Sequence, residues 1–197
     1  MGACEVRGLT DGRNKGQKFM LDCCRVLSHW WFDVPLDAHF TTLPMRPKST
    51  VVAPMEGWAR KGDLDVSPQY ADMWPFAVEC KKIEGDKGWR ELERMFTQPK
   101  YPLWSWWDQA VSQAETWENA HPLLIFSRNH QRTYVLARAT TLEWLDPKPA
   151  TGPVVTILRP GGERLGLLLL EDLVAVSKPR PSSRKRAPRG RSRKSSS

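Results

Sequence analysis

The 197-residue sequence contains no uninterrupted apolar run of the roughly 18 residues that a membrane span requires, so none is expected. Its opening residues, MGACEVRGLTDGRNKG, lack the apolar segment of a secretory signal, which argues against secretion. Position 6 is Val6, where a myristoylation signal would need Ser or Thr, so Met1-Gly2 carries no lipid expectation. Cysteine is scarce: Cys4, Cys23, Cys24 and Cys80 form no CxxC pair, and none stands at zinc-ligand spacing from a histidine. A disulfide scaffold and a zinc site are thereby disfavoured, and a reduced, cytoplasmic chain is expected. The four histidines (His29, His39, His121, His130) are too scattered to suggest a shared metal.

Acidic residues are missing from one region in particular. Ser177 to Ser197 holds nine basic residues and no acid, and taking those nine from the net charge of +8 leaves −1 for residues 1–176. The body is near neutral and the basicity belongs to the tail. That tail is rich in Ser, Pro, Arg and Lys and cannot build a core, so it is expected to be disordered. Apolar residues make up 40% of the whole, enough for a single folded domain with appendages. The expected organisation is a flexible leader at 1–13, one domain at 14–176 and a basic tail at 177–197.

Within the domain, Phe19, Met20, Cys23, Val26, Leu27, Trp30 and Trp31 recur at spacings of three and four, predicting a helix from Lys15 to Phe32 with Asn14 as its N-cap. Asp33 to Pro54 shows no period and reads as a long loop with a short strand at 49–53. A short helix is expected at 89–96 and a longer one at 103–119. In the longer one Trp106, Ala110, Gln113, Ala114 and Trp117 share a face, more suited to core packing than to base stacking. Strands follow at 123–127 and 133–138 around the polar hairpin RNHQR, then a helical turn at 140–145. A second hairpin is expected from 154–158 and 165–170.

The most informative stretch is Gly62 to Lys82, GDLDVSPQYADMWPFAVECKK. It reads as a strand beginning at Asp63, a break at Ser67-Pro68, and a second, apolar strand from Phe76 to Lys81. Residues i and i+2 of a strand share a face, so Glu79 and Lys81 point one way and Cys80 the other. A carboxylate and a lysine at the end of a buried strand, with Asp63 and Asp65 on a neighbour, suit a hard cation such as Mg2+ or Mn2+. Taken alone, DxD and ExK better suit an exposed acidic turn beside a strand that ends in a salt bridge.

The context favours the site. Gly62-Asp63, Ser67-Pro68, WPFAVECK at Trp74–Lys81, WWDQA at Trp106–Ala110 and PLLIF at Pro122–Phe126 together resemble the PD-(D/E)XK nuclease superfamily, and within it the phage nucleases of Holliday-junction-resolvase type. The resemblance spans roughly Asn14 to Ala137. It implies an α/β restriction-endonuclease-like core, a central mixed β-sheet flanked by α-helices. It further implies a Mg2+- or Mn2+-dependent DNA endonuclease, most simply a Holliday-junction resolvase acting as a homodimer in the host cytoplasm, with no organic cofactor. A less selective nuclease for duplex or single-stranded DNA, and a DNA-binding protein that keeps the fold without catalysis, are the alternatives.

Carried onto this sequence, the resemblance makes Asp63 and Glu79 metal ligands together with the backbone carbonyl of Cys80, with Asp65 as a further candidate. Lys81 and Gln109 join Asp63 and Glu79 as catalytic candidates. In related nucleases the first helix often adds a Glu four residues after a Lys-Gly pair; here that place is Met20, with Gln17 and Asp22 as polar neighbours. DNA contact is expected from Arg128 and Arg132 of the polar hairpin. In the tail it is expected from Arg184, Lys185, Arg186, Arg189, Arg191, Arg193 and Lys194, whose charge would displace counterions without reading sequence.

Overall fold

A computed structural model describes residues 6–48, 57–83, 94, 98, 102–117, 120–128, 131–145, 154–159 and 161–175, with side chains from residue 14 onward. The described elements are helix α1 (Val6–Phe32), a 3-10 turn (Phe40–Thr42), strands β1 (Met45–Pro47), β2 (Ala59–Lys61) and β3 (Leu64–Val66), and helix α2 (Pro68–Ala71). They continue with β4 (Phe76–Ile83), α3 (Pro102–Glu115), β5 (His121–Arg128), β6 (Thr133–Arg138), α4 (Ala139–Leu145), β7 (Val155–Leu158), β8 (Arg164–Leu169) and α5 (Leu170–Ala175).

The main sheet has five strands in the order β4-β5-β6-β8-β7. β4 and β5 run parallel and every other pair is antiparallel, so the sheet is mixed. A parallel pair needs a crossover, and α3 lies within the one between β4 and β5. β5 is buried along Pro122–Arg128, as expected of a strand covered on both faces. Its side chains alternate between two cores. Leu123 and Ile125 join Val78, Cys80, Val135 and Ala137 beneath α1, while Leu124 and Phe126 join Leu136, Leu165, Leu103 and Trp107 beneath α3.

The helix faces follow from spacing. Phe19, Cys23, Leu27 and Trp30 recur every three or four residues and form the buried stripe of α1. In α3 the stripe is Leu103, Trp107, Ala110 and Ala114. The tryptophans are largely core residues: Trp74 and Phe76 pack edge-to-face, and Trp31 donates its indole N–H to the Met73 carbonyl at 2.7 Å. Trp107 lies in the α3-side core and donates to Glu163 Oε2 at 3.0 Å.

A smaller antiparallel sheet, β1-β3-β2, sits against the edge of β4, joined to it by a bridge between Gly62 and Val78. This junction between the two sheets positions the site.

Several boundaries differ from expectation. α1 begins at Val6, inside the segment expected to be a flexible leader; the apolar period starts only near Phe19, but a nucleated helix extends at little cost per residue. A four-residue helix, α2, fills the break at Ser67-Pro68, with proline at its start, where its missing N–H costs nothing. α5 follows β8 directly, and Leu170 and Leu173 bury its inner side. The strand expected at 49–53, the helix expected at 89–96 apart from Arg94, which is helical, and the tail at 177–197 lie outside the described residues. No helix among those described is long and apolar enough to cross a membrane.

Candidate active site

Gly62 is the hinge of the site. Its φ is +86°, in the region that favours glycine, and a Cβ placed there would lie 2.2 Å from the Val78 carbonyl oxygen and 2.9 Å from Gln113 Oε1. Only a residue without a side chain lets the chain press this close to β4. The next residue then docks on the strand edge: the Asp63 N–H donates to the Val78 carbonyl at 2.7 Å, and Asp63 Oδ2 accepts the Cys80 N–H at 3.0 Å. In a strand, a residue's N–H and C=O point to the same side. The Cys80 carbonyl therefore also faces the edge that carries Asp63.

Glu79 and Lys81 stand on the α3 face of β4, opposite in register to Leu124 and Phe126. Lys81 Nζ is ion-paired with Glu79 Oε1. Glu79 is 0% exposed, yet neither of its oxygens receives a well-directed hydrogen bond, and Gln113 Oε1 beside it is also buried without a partner. Burial pushes the Glu79 carboxyl above its usual range, and the negative charge of Asp63 pushes it further. Lys81 and the Gln113 amide pull it part of the way back.

The arrangement is thus a set of converging acceptors with one nearby cation. Buried polar atoms are normally paired, and two carboxylates that share one lysine and one amide are short of positive charge. Asp63, Glu79 and the Cys80 carbonyl have the oxygen chemistry of a hard divalent ion that keeps several waters. Among the described residues, no group of three or more His, Cys, Asp or Glu side chains could hold a metal. The carboxylates at this place are two.

The remaining candidates separate clearly. Asp65 does not join Asp63 and Glu79. It is buried in β3, where Oδ1 takes the Arg60 Nε at 3.3 Å from the strand directly opposite. Gln109 is exposed, and its neighbour one turn on, Gln113, reaches Glu79 instead. The reason is geometric: residues four apart on a helix differ by about 40° in direction, and Gln113 falls nearer the buried stripe of α3. Gln113 shares its helical face with Ala110 and Ala114, and the Gln-Ala pair is repeated in this helix, so the motif could match either copy and the one beside Glu79 is the second.

Met20 packs against the α1-side core, while Gln17 and Asp22 are exposed and Asp22 pairs with Arg25. None of the three contributes to the Asp63–Glu79 pair. Arg128 was expected as a surface contact, but it closes β5 and is only 5% exposed, with its Nε buried and unpartnered. Arg132 is exposed and ion-paired with Glu171. The tail arginines and lysines lie outside the described residues.

A family model described as "Phage putative PDDEXK endonuclease" matches residues 11–158. No curated protein and no solved structure matches the chain.

Proposed function

The chain belongs to the family of phage PDDEXK endonucleases, and from that premise we propose that it is a divalent-metal-dependent endonuclease for branched DNA, with the Holliday junction as its leading substrate. The observation that carries the catalytic part is the buried Glu79 carboxylate, set beside Asp63 and Lys81 with oxygens left short of donors. The branched preference rests on the resemblance of the motif series, and on a tail whose nine cations suit several closely spaced duplex arms.

In this reading Asp63, Glu79 and the Cys80 carbonyl hold Mg2+ or Mn2+. The bound ion supplies charge neutralisation at a phosphate oxygen and a water acidified enough to attack. Lys81 Nζ, kept in place by Glu79, directs the nucleophile and offsets the negative charge that grows on the phosphorus oxygens. Gln113 takes the orienting role expected of Gln109, giving a neutral amide that directs a ligand without changing the charge. Asp65 is left out of the metal set. Symmetric cutting of a junction calls for two copies of the chain, acting in the host cytoplasm.

A second reading is favoured by one observation: Met20 packs against the core at the place where related nucleases add a carboxylate, leaving two carboxylates at the site among the described residues. A site poorer in charge could retain DNA binding without cutting.

The test is cleavage of a labelled four-way junction and a matched linear duplex, in Mg2+ and in EDTA, by the wild type and by Glu79→Ala. Paired symmetric cuts in the junction, lost in EDTA and in the variant, support the resolvase. Equal cutting of both substrates supports the less selective nuclease. Tight, salt-sensitive binding with no cutting in Mg2+ or Mn2+ supports the binding protein.

A further inference from the structure

Beside the Asp63–Glu79 pair, on the far side of Gly62, a cleft of about 290 Å³ lies between β2 and α3. Its walls are Lys48, Arg60, Ser112, Thr116 and Trp117, and Gly62 and Gln113 separate it from the carboxylates. Among the described residues, no acidic side chain lines it. A third cation backs it: Lys61 is 8% exposed, has no ion pair among the described residues and rests its Nζ 4.0 Å from the Trp117 ring centroid. The cation–π contact offsets part of the cost of placing a lysine there.

Arg60 is the residue whose geometry says most. It stands directly opposite Asp65 in the β2–β3 register, and Asp65 takes the guanidinium by Nε. That contact leaves the two terminal nitrogens unused by Asp65. These are the pair that grips a phosphate in two-pronged fashion, and a guanidinium held at Nε loses little freedom when it does so. A buried carboxylate that has no place in the Asp63–Glu79 pair thus acquires a role.

We infer that this cleft is a subsite for one backbone phosphate of the substrate strand, close to the phosphate that is cut, with Arg60 and Lys48 as its binding residues and Asp65 as the positioning residue that aims Arg60. The inference rests on the endonuclease reading and deepens it. The volume is near the small end of ligand sites and admits one phosphate with its sugar rather than a duplex. Gly62 and Gln113 border both the cleft and the carboxylate pair, so a phosphate held here fixes the register of the strand across the metal site.

The experiment pairs protein variants with DNA carrying a single neutral methylphosphonate, moved one linkage at a time along the strand. Full-length wild type, Arg60→Gln, Lys48→Gln and Asp65→Asn are compared for KM and kcat. Binding is followed separately by fluorescence anisotropy in the non-cutting Glu79→Gln background, so that absence of cleavage refutes the endonuclease reading while the subsite is still measured. At one linkage near the cut, the neutral phosphate is expected to weaken wild-type binding roughly fivefold and to cost Arg60→Gln nothing further, as one shared charge-assisted contact requires. Asp65→Asn is expected to weaken the same linkage and to leave the others unchanged, with kcat moving less than KM. Losses that multiply at every linkage would overturn the subsite. A uniform loss in Asp65→Asn, or a lowered melting temperature with the linkage dependence intact, would reduce Asp65 to a structural role.

Discussion

Replacing Glu79 with glutamine is expected to make the protein more stable and inactive. In the wild type the folded state buries the Glu79 carboxylate next to Asp63 with few directed donors, against an ion pair to the partly exposed Lys81 and the nearby Gln113 amide. An unsatisfied buried polar atom costs about 1–3 kcal/mol, and a partly exposed ion pair returns about 0–1 kcal/mol. Glutamine keeps the shape and removes the charge, so a net gain of about 1 kcal/mol is expected, or about 2–4 °C in Tm for a chain of this size. The pH dependence follows from the sign of the shift. A raised carboxyl pKa means that the folded state holds its proton more tightly than the unfolded chain. The penalty is therefore present in full above the folded pKa and fades as pH falls toward the unfolded value. The advantage of Glu79→Gln should be largest near neutral and alkaline pH and vanish in acid. Mg2+ adds a second readout: an ion at a hundred times its Kd stabilises the folded state by about 2.7 kcal/mol, and this gain should belong to the wild type alone. Urea unfolding at several pH values, with and without Mg2+, measures all of it. A variant less stable than the wild type at alkaline pH, or an equal Mg2+ effect on both, would show that Glu79 is a satisfied structural carboxylate.

Three further outcomes are expected. Gly62→Ala should cost about 1–2 kcal/mol for the left-handed backbone, plus whatever displacement relieves the 2.2 Å approach to the Val78 carbonyl; cutting should fall much further than urea stability, because Asp63 is carried out of place. Gln113→Ala should lower kcat about 10–100-fold, as loss of an orienting partner does; Gln109→Ala should leave kinetics within about twofold, as exposed substitutions usually do, and a reversed ranking would restore Gln109 to the site. At Glu163, burial raises the carboxyl, but hydrogen bonds from Trp107 and Arg138 and the charges of Arg138 and Arg159 outweigh it and lower its pKa below 4.5. Its contribution, about 1 kcal/mol for a half-exposed network, is present above the unfolded pKa and is lost as pH falls through the folded one; Glu163→Gln should lack that acid-side loss in a pH series of melting curves.

Local sequence signals match the structure where burial and spacing act together. PLLIF announced β5, and β5 is buried on both faces of the sheet. The pattern of VECKK placed Glu79 and Lys81 on one face and Cys80 on the other, and the two cores separate them in that way. Where a motif could match in two registers, spacing along the chain was insufficient. Two Gln-Ala pairs lie one helical turn apart, and the exposed one sits in the more recognisable tryptophan context. Asp65 separates from Asp63 for a similar reason: two aspartates two residues apart look equivalent, but the chain changes direction at Gly62, and Asp63 meets the edge of β4 while Asp65 pairs with Arg60 across the strand. Arg128 looked like a hairpin cation because sequence does not reveal how far a strand continues before it turns.

Periodicity and side-chain chemistry are local properties, so the longer helices, the strands of the main sheet with their two-sided burial, and the candidate acidic and basic residues were legible along the chain. Which of these residues meet depends on contacts between distant segments. The approach of Asp63 to Glu79 depends on one glycine pressed against a strand edge, the selection of Gln113 over Gln109 on the roll of α3 against the sheet, and the pairing of Asp65 with Arg60 on a cross-strand register. Each is a contact between segments distant in the chain or opposed across a turn, where the physical constraint is available space and the nearest countercharge, and neither is written in the spacing of residues.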